Sequence, residues 1–310
     1  WINQLPSLPS GWSYRCSATP TNIDGSGWIP IPFNSFDIIN IANLPVDPIN
    51  KPPYYYSFVV GRSYALYAQL EDLKNPASKN DNDNYPHLFS VGSNKRLIDQ
   101  AQGLVGYWPF DEGSGTIAKD LSGNGNNGTL INGPIWTTGK VGGALSFDGV
   151  DDYVRIADTM NLRITGDITI AFWMKKNSEA ADWQRLVGKG NSIFRNYGVW
   201  EEAGGGRRLL FQEYNSSGGS VLNLFSSSNI EIGNWYHIAT TISGSTAKIY
   251  INGLLDASAT RTGTPATSTD PLTIAYAGFH AFFPGLLDEV RIYNRALSVD
   301  EIKALYEATK

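Results

Sequence analysis

Two sets of residues in this chain have the types and spacing to do chemistry. The first is residues 120–128, DLSGNGNNG, where Asp120, Asn124 and Asn126 offer carboxylate, amide and carbonyl oxygens while the glycines let the backbone fold around a small centre. Calcium takes about six to eight such oxygens at flexible geometry. The same residues also close a hydrogen-bonded turn without a metal, because Asn and Asp satisfy neighbouring backbone groups. Asp148, in the run FDGVDDY at residues 147–153, is a further oxygen donor, with the cap of a strand-to-strand turn as its simpler role. The second set is aromatic: Trp183, Phe194, Tyr197, Trp200, Tyr214 and the run Phe279, His280, Ala281, Phe282 and Phe283. Gln184, Arg185, Asn191, Arg195 and Asn196 supply hydrogen-bonding groups beside them. Sugars are held by aromatic faces and a few aimed polar groups. Trp183, Arg195, Tyr197, Trp200, His280 and Phe282 are therefore the candidate ligand-binding residues. Trp173, Trp235 and Trp200 also suit packed core positions.

Catalysis finds little support. Glycoside hydrolysis needs two carboxylates facing each other across a bond. The local pairs Glu201–Glu202, Asp151–Asp152 and Asp288–Glu289 are neighbours in the chain, and neighbours on a strand point to opposite faces. His87, His237 and His280 are scattered, and His237 sits inside a strand pattern as a packed ring. The sequence has no G-x-S-x-G elbow, and the lone Cys16 has no partner for an internal disulfide. The chain is therefore expected not to be an enzyme.

The elements that position these residues are strands. Of 310 residues only 17% are charged, 12% are aromatic and 32 are glycine, a composition suited to an all-β, turn-rich protein. Ile168, Ile170, Phe172 and Met174 alternate with Thr169, Ala171, Trp173 and Lys175, the period of a strand with two different faces. Residues 235–242 and 247–251 read as a hairpin across Ser243, Gly244 and Ser245, and Asn252–Gly253 marks the next tight turn. One helix is expected, at the end, where Ser298 and Glu301 form a capping box ahead of Ile302, Leu305 and Tyr306.

A net charge of −5 argues against general affinity for nucleic acid. No apolar run reaches the roughly 18 residues of a membrane span. The start at Trp1, without an initiator Met or signal peptide, reads as a processed or truncated fragment. Composition shifts near residue 100. Residues 1–99 hold most of the prolines, with strand candidates at 54–60 and 63–67, a weak helical turn at 68–74, and a solvated polar loop at 79–84.

Residues from about 103 to 310 resemble the bacterial laminin-G-like, concanavalin-A-like jelly rolls. The resemblance is carried by LVGYWPFDEGSGT, DLSGNGNNGTL, ALSFDGVDDYV, ITIAFWMK, NWYHIATTIS, KIYINGLLD and LLDEVRIYNRALSVDEI. It implies a mainly β, antiparallel two-sheet jelly-roll sandwich with a short C-terminal helix, of a kind that mostly binds carbohydrate or adheres and often holds calcium. It also implies that Asp120 and Asp288 approach one another beside a structural calcium, with oxygens from Asn124 and Asn126. Residues 43–56, NLPVDPINKPPYYY, and 63–72, SYALYAQLED, resemble the globular head of type IV pilin-like proteins and pseudopilins. Residues 1–100 are thus expected to form a small Pro-rich domain with a short antiparallel sheet, and 103–310 the jelly roll. The expected function is an extracellular or cell-surface adhesin with glycan or a surface polymer as ligand, displayed on a pilin-like subunit among other such subunits. A decorating filament subunit without a small ligand, and a secreted carbohydrate-active enzyme domain, stand as the alternatives.

Overall fold

The computed structural model describes residues 102–179 and 182–310, together with three strands of the preceding region. The chain divides into two compact units, Trp1–Gln102 and Gly103–Lys310. In the first, β1 (Tyr56–Val60), β2 (Tyr64–Gln69) and β3 (Leu88–Gly92) form an antiparallel sheet in that order, with Val60 opposite Tyr64. The helical turn expected from Ala68 gives way to strand there. Ala68 pairs with Tyr56 on one side and Phe89 on the other, so its backbone is extended on both edges. The rest of the pilin-like stretch, including residues 43–55, lies outside the described residues.

The second unit is a sandwich of two eight-stranded antiparallel sheets. One sheet contains β4 (Leu104–Trp108), β7 (Ile135–Thr138), β8 (Gly143–Asp148), β10 (Ile168–Lys176), β15 (Tyr236–Ser243), β16 (Thr246–Ile251), β17 (Leu254–Thr260) and β19 (Pro284–Tyr293). Its order is β17-β16-β15-β10-β19-β8-β7, with β4 also paired to β19. The other sheet contains β5 (Ile117–Ala118), β6 (Gly128–Ile131), β9 (Tyr153–Ile156), β11 (Gln184–Gly190), β12 (Arg195–Glu201), β13 (Leu209–Tyr214), β14 (Ser220–Phe225) and β18 (Leu272–Ile274). Its order is β14-β13-β12-β11-β18-β9-β6-β5.

Alternation along the strands builds the core, as two facing sheets require. Ile168, Ile170, Phe172 and Met174 of β10 turn inward to meet Tyr197, Val199, Leu209 and Phe211 from the opposite sheet. The outward residues of the first sheet are covered by α1 (Val299–Thr309). Ile302 and Leu305 pack there on Tyr107, Ala171, Ala239, Tyr250 and Tyr293, and each fully buried side chain of this kind contributes about 1.5–3 kcal/mol. The helix starts where the sequence places it. The Ser298 hydroxyl accepts from the Glu301 amide at 3.2 Å, and the Glu301 carboxylate accepts from the Ser298 amide at 2.8 Å. Trp173 is buried beneath the helix and donates to Thr309 Oγ1 at 3.0 Å. His237 is the packed ring expected, edge-on to Trp173 at 5.3 Å, and burial pulls its imidazole down to about 3. Trp235 is only half-buried and stops one residue short of β15. At the tight turn after β16, Asn252 and Gly253 both take positive φ, 51° and 77°.

Glu213 on β13 is 1% exposed, with Arg261 at 3.6 Å as its ion-pair partner. Burial pushes its carboxyl up to about 7, against the pull of Arg261. A raised value means that the folded chain keeps this proton above the pH at which the unfolded chain has lost it. The contribution is full below about pH 4 and is lost as pH rises through about 7, a swing on the order of 3 kcal/mol. Glu213→Gln removes the titration, so the fall in melting temperature between about pH 5 and 8 should flatten in that variant. An unchanged slope would assign the effect to another group.

Candidate ligand-binding groove

The second sheet carries no helix on its outward face among the described residues, and a groove of about 320 Å³ opens there. Strand alternation decides what lines it. On β9, Val154 and Ile156 face the core, so Tyr153 and Arg155 face out; on β18, Thr273 faces out between Leu272 and Ile274. Arg185 and Gly190 come from β11, and Asn191, Ser192, Asp270, Tyr276 and Phe279 from the loops around it. Tyr276 stands 5.1 Å from Tyr153 and stacks flat on Phe282 at 3.9 Å, which gives the groove a rigid aromatic wall.

Beside the groove, two glycines face each other across the β11–β12 pair. A Cβ on Gly198 would lie 2.8 Å from the Trp200 indole nitrogen, and one on Gly188 would lie 2.8 Å from the Gly198 Cα. The missing side chains let the Trp200 indole lie down over the sheet. The Arg185 guanidinium sits 4.7 Å from that ring and 5.6 Å from Phe279. Arg195 sits 5.0 Å from Trp200, 5.2 Å from Phe279 and 4.5 Å from Tyr214. Each such cation–aromatic contact is worth about 0.5–2 kcal/mol, more where water is excluded. Burial and then the like charge of Arg195 pull Arg185 down to about 9. His280 meets Trp200 edge-on at 5.7 Å, and its Nδ1 lies 3.0 Å from Asp182 Oδ2.

The structure therefore gathers Arg195, Trp200 and His280 in one cluster, with Trp183 packed against its edge. Phe282 acts one layer back, through Tyr276. Tyr197 does not join them. It occupies an inward position of β12 and donates from its hydroxyl to the Leu162 carbonyl at 2.8 Å, so it is a core residue. Asn196 is likewise turned to the Ile164 carbonyl, at 2.7 Å. Sequence reasoning missed Tyr153, Arg155, Asp270 and Tyr276. Arg155 was legible, as the charged residue alternating with Val154 and Ile156. Tyr276 and Asp270 lie in loops flanking a three-residue strand and carry no local signal.

Of the four residues expected around calcium, Asp120 and Asn126 have their side-chain oxygens taken by protein donors. Both Asp120 oxygens are filled by protein donors: the amides of Tyr107, Ser122 and Asn126 and the Ser122 hydroxyl, at 2.8 to 2.9 Å. A carboxylate offers about four lone-pair positions, and all are used. The Asn124 and Asn126 side-chain nitrogens donate to the Leu104 and Val105 carbonyls, and the Asn126 amide oxygen accepts from Thr159. Asp288 serves a different loop and accepts the Val141 amide at 2.8 Å. Residues 120–128 thus adopt the hydrogen-bonded turn that was the second reading of their sequence. Asp148, Asp151 and Asp152 bring carboxylate oxygens within 4.8 Å of one another at the β8–β9 turn. Asp148 caps that turn through the Val150 amide at 2.8 Å, which holds its carboxyl below the usual range.

A two-sheet antiparallel sandwich with a polar, aromatic-walled groove on one outward face defines a lectin-like β-sandwich. The laminin-G-like model of the concanavalin A-like lectin/glucanases superfamily matches residues 148–303, and the chain belongs to that superfamily. No curated protein matches the sequence. Among solved structures, the binding domain of Paraclostridial mosquitocidal protein 1 superposes with a TM-score of 0.56 at 18% identity, over 66% of this chain and 52% of that one. Domain 4 of AbnA, an extracellular arabinanase from Geobacillus stearothermophilus, solved with arabinotriose, gives 0.54 at 20% identity, over 67% of this chain and 98% of that one. The binding domain of botulinum neurotoxin serotype G gives 0.54 at 16% identity, over 66% and 50%. The chain thus spans about half the length of the two toxin domains and nearly all of the arabinanase domain.

Loss of the Asp120 carboxylate strands three amides and a hydroxyl. Asp120→Ala should cost about 2–4 kcal/mol, a fall of roughly 5–15 °C for a domain of this size. Melting curves should show the same fall in chelator and in millimolar calcium. A fall confined to the calcium-loaded protein would instead show that Asp120 acts through a bound cation.

Proposed function

We propose that residues 103–310 form a saccharide-binding module that holds its ligand in the groove across β9, β18 and β11 without turning it over. The observation that carries this reading is the groove's lining. It has an aromatic wall of Tyr153, Tyr276 and Phe279, with Arg155, Asn191, Ser192 and Asp270 as polar groups around it. That is the pairing of flat apolar faces and fixed polar groups that sugar rings match. Asp270 is the single carboxylate on the lining, whereas glycoside hydrolysis takes two. The likeness to an arabinanase domain solved with arabinotriose, and to toxin binding domains, supports binding as the role. The module works outside the cell, and the resemblance of residues 43–56 and 63–72 to pilin-like heads supports a surface filament as its carrier, where repeated display adds avidity to modest single-site affinity.

The test is a glycan array probed with residues 1–310, followed by calorimetric titration of the strongest ligand. A restricted set of glycans should bind. Tyr276→Ala should weaken the best of them about tenfold or more, a loss of at least 1.4 kcal/mol, with the far-ultraviolet spectrum unchanged. Silence across the array would overturn the proposal. Equal affinity in Tyr276→Ala would move the site away from this groove.

A further inference from the structure

One buried cation at the groove has no carboxylate within ion-pair distance among the described residues. Other buried cations are each held by a carboxylate: Lys176 by Glu201 at 2.7 Å, Lys189 by Asp158 at 2.5 Å, and Arg291 by Glu289. Arg185, 1% exposed, forms no ion pair among the described residues. Its Nη1 donates to the Gly190 carbonyl at 3.0 Å and to Thr273 Oγ1 at 3.3 Å, while Nε and Nη2 are buried without an acceptor. Those two nitrogens form the side-on edge of the guanidinium, the fork that matches both oxygens of a carboxylate.

The neighbours repeat the pattern. Arg195 Nε and Trp200 Nε1 are also buried donors without acceptors, and Arg195 Nη1 meets only the neutral side-chain oxygen of Gln212. Arg155 joins Arg185 on the groove lining as its second cation. Against them stands Asp270, whose charge favours the ionised Arg185 from a distance and whose Oδ2 is held by Asn191 Nδ2 at 2.8 Å and Ser268 Oγ at 2.6 Å. A buried cation without a partner is costly, and a cluster of donors without acceptors at a groove gives a ligand's acceptors the missing role. We infer, resting on the saccharide-binding reading above, that the groove selects an acidic saccharide whose carboxylate is the missing partner of Arg185, with Arg195 and Arg155 adding to the positive field. The Phe279 ring lies over the Arg185 guanidinium at 5.6 Å, so binding of the carboxylate requires that ring to move. A bound carboxylate opposes both the burial and the like charge that weaken Arg185's hold on its proton.

The experiment is calorimetric titration of residues 1–310 with two matched pairs: tetragalacturonate against its methyl ester, and 3′-sialyllactose against its carboxyl methyl ester. Within each pair the carboxylate is the difference tested, and the two pairs separate uronate from sialate as its source. At least one acid should bind about tenfold or more tighter than its neutral partner, with the advantage shrinking as salt is raised. Arg155→Gln, at an exposed position, should reduce the advantage. Arg185→Met, which removes an unpaired buried charge, should abolish it while melting no lower than the parent. If Arg185→Met does not fold, Arg155→Gln and the salt series decide. Equal binding of acid and neutral partner, or an advantage that survives both substitutions, overturns acid selection and leaves saccharide binding standing. Absence of binding to these four probes and to every glycan of the array overturns both.

Discussion

The pairing of β4 with β19 is the contact on which the rest of this domain depends. It joins the first strand of the sandwich to the last through four residue pairs, from Trp108 opposite Val290 to Leu104 opposite Tyr293. β4 then divides its side chains between two cores: Trp108 and Val105 between the sheets, Tyr107 and Leu104 beneath α1. Its far edge would present unpaired backbone, and an open edge invites foreign strands. Here Asp120 takes the Tyr107 amide, while the Leu121 amide is given to the Tyr107 carbonyl at 2.8 Å. The loop that looks in sequence like a cation cradle is the piece that finishes the edge of a strand.

The two outward faces of the sandwich have different fates, and the difference is written in their residue types. The first sheet shows Ala171, Ala239 and flat rings to the outside, a surface on which α1 settles. The second shows two cations over an indole, and its facing glycines sink the floor where a helix would need side chains to grip. Charge is handled unequally as well. Lys176 and Arg291 are buried with their carboxylates, so folding itself neutralises them, whereas the Arg185–Arg195 pair is met by aromatic faces and neutral oxygens.

Periodicity made much of this legible in advance. The alternation of residues 168–175, the Asn252–Gly253 turn and the Ser298 capping box each depend on neighbours in the chain, and each stands where the sequence puts it. The groove depends on neighbours in space. Arg155, Thr273 and Arg185 share a face only because β9, β18 and β11 pair side by side, although β18 comes more than a hundred residues after β9. Tyr197 shows how an odd offset along a strand misleads. Aromatic content alone groups it with Trp200, but the strand's period of two sends it to the opposite face. Asp120 shows the other limit, since oxygen-rich composition does not say whether amides or a cation will claim the oxygens.

The β4–β19 pair also has a mechanical meaning. Both strands meet at the same end, where the Asn294 amide donates to the Gly103 carbonyl at 2.8 Å. Tension that separates Gly103 from Asn294 would open the ladder one rung at a time, like a zipper. A load drawn along β4 from Gly103, towards a ligand held on the opposite sheet, would instead stress the four residue pairs in parallel. The same hydrogen bonds are weak under peeling and strong under shear, so resistance to force depends on the direction from which the domain is pulled.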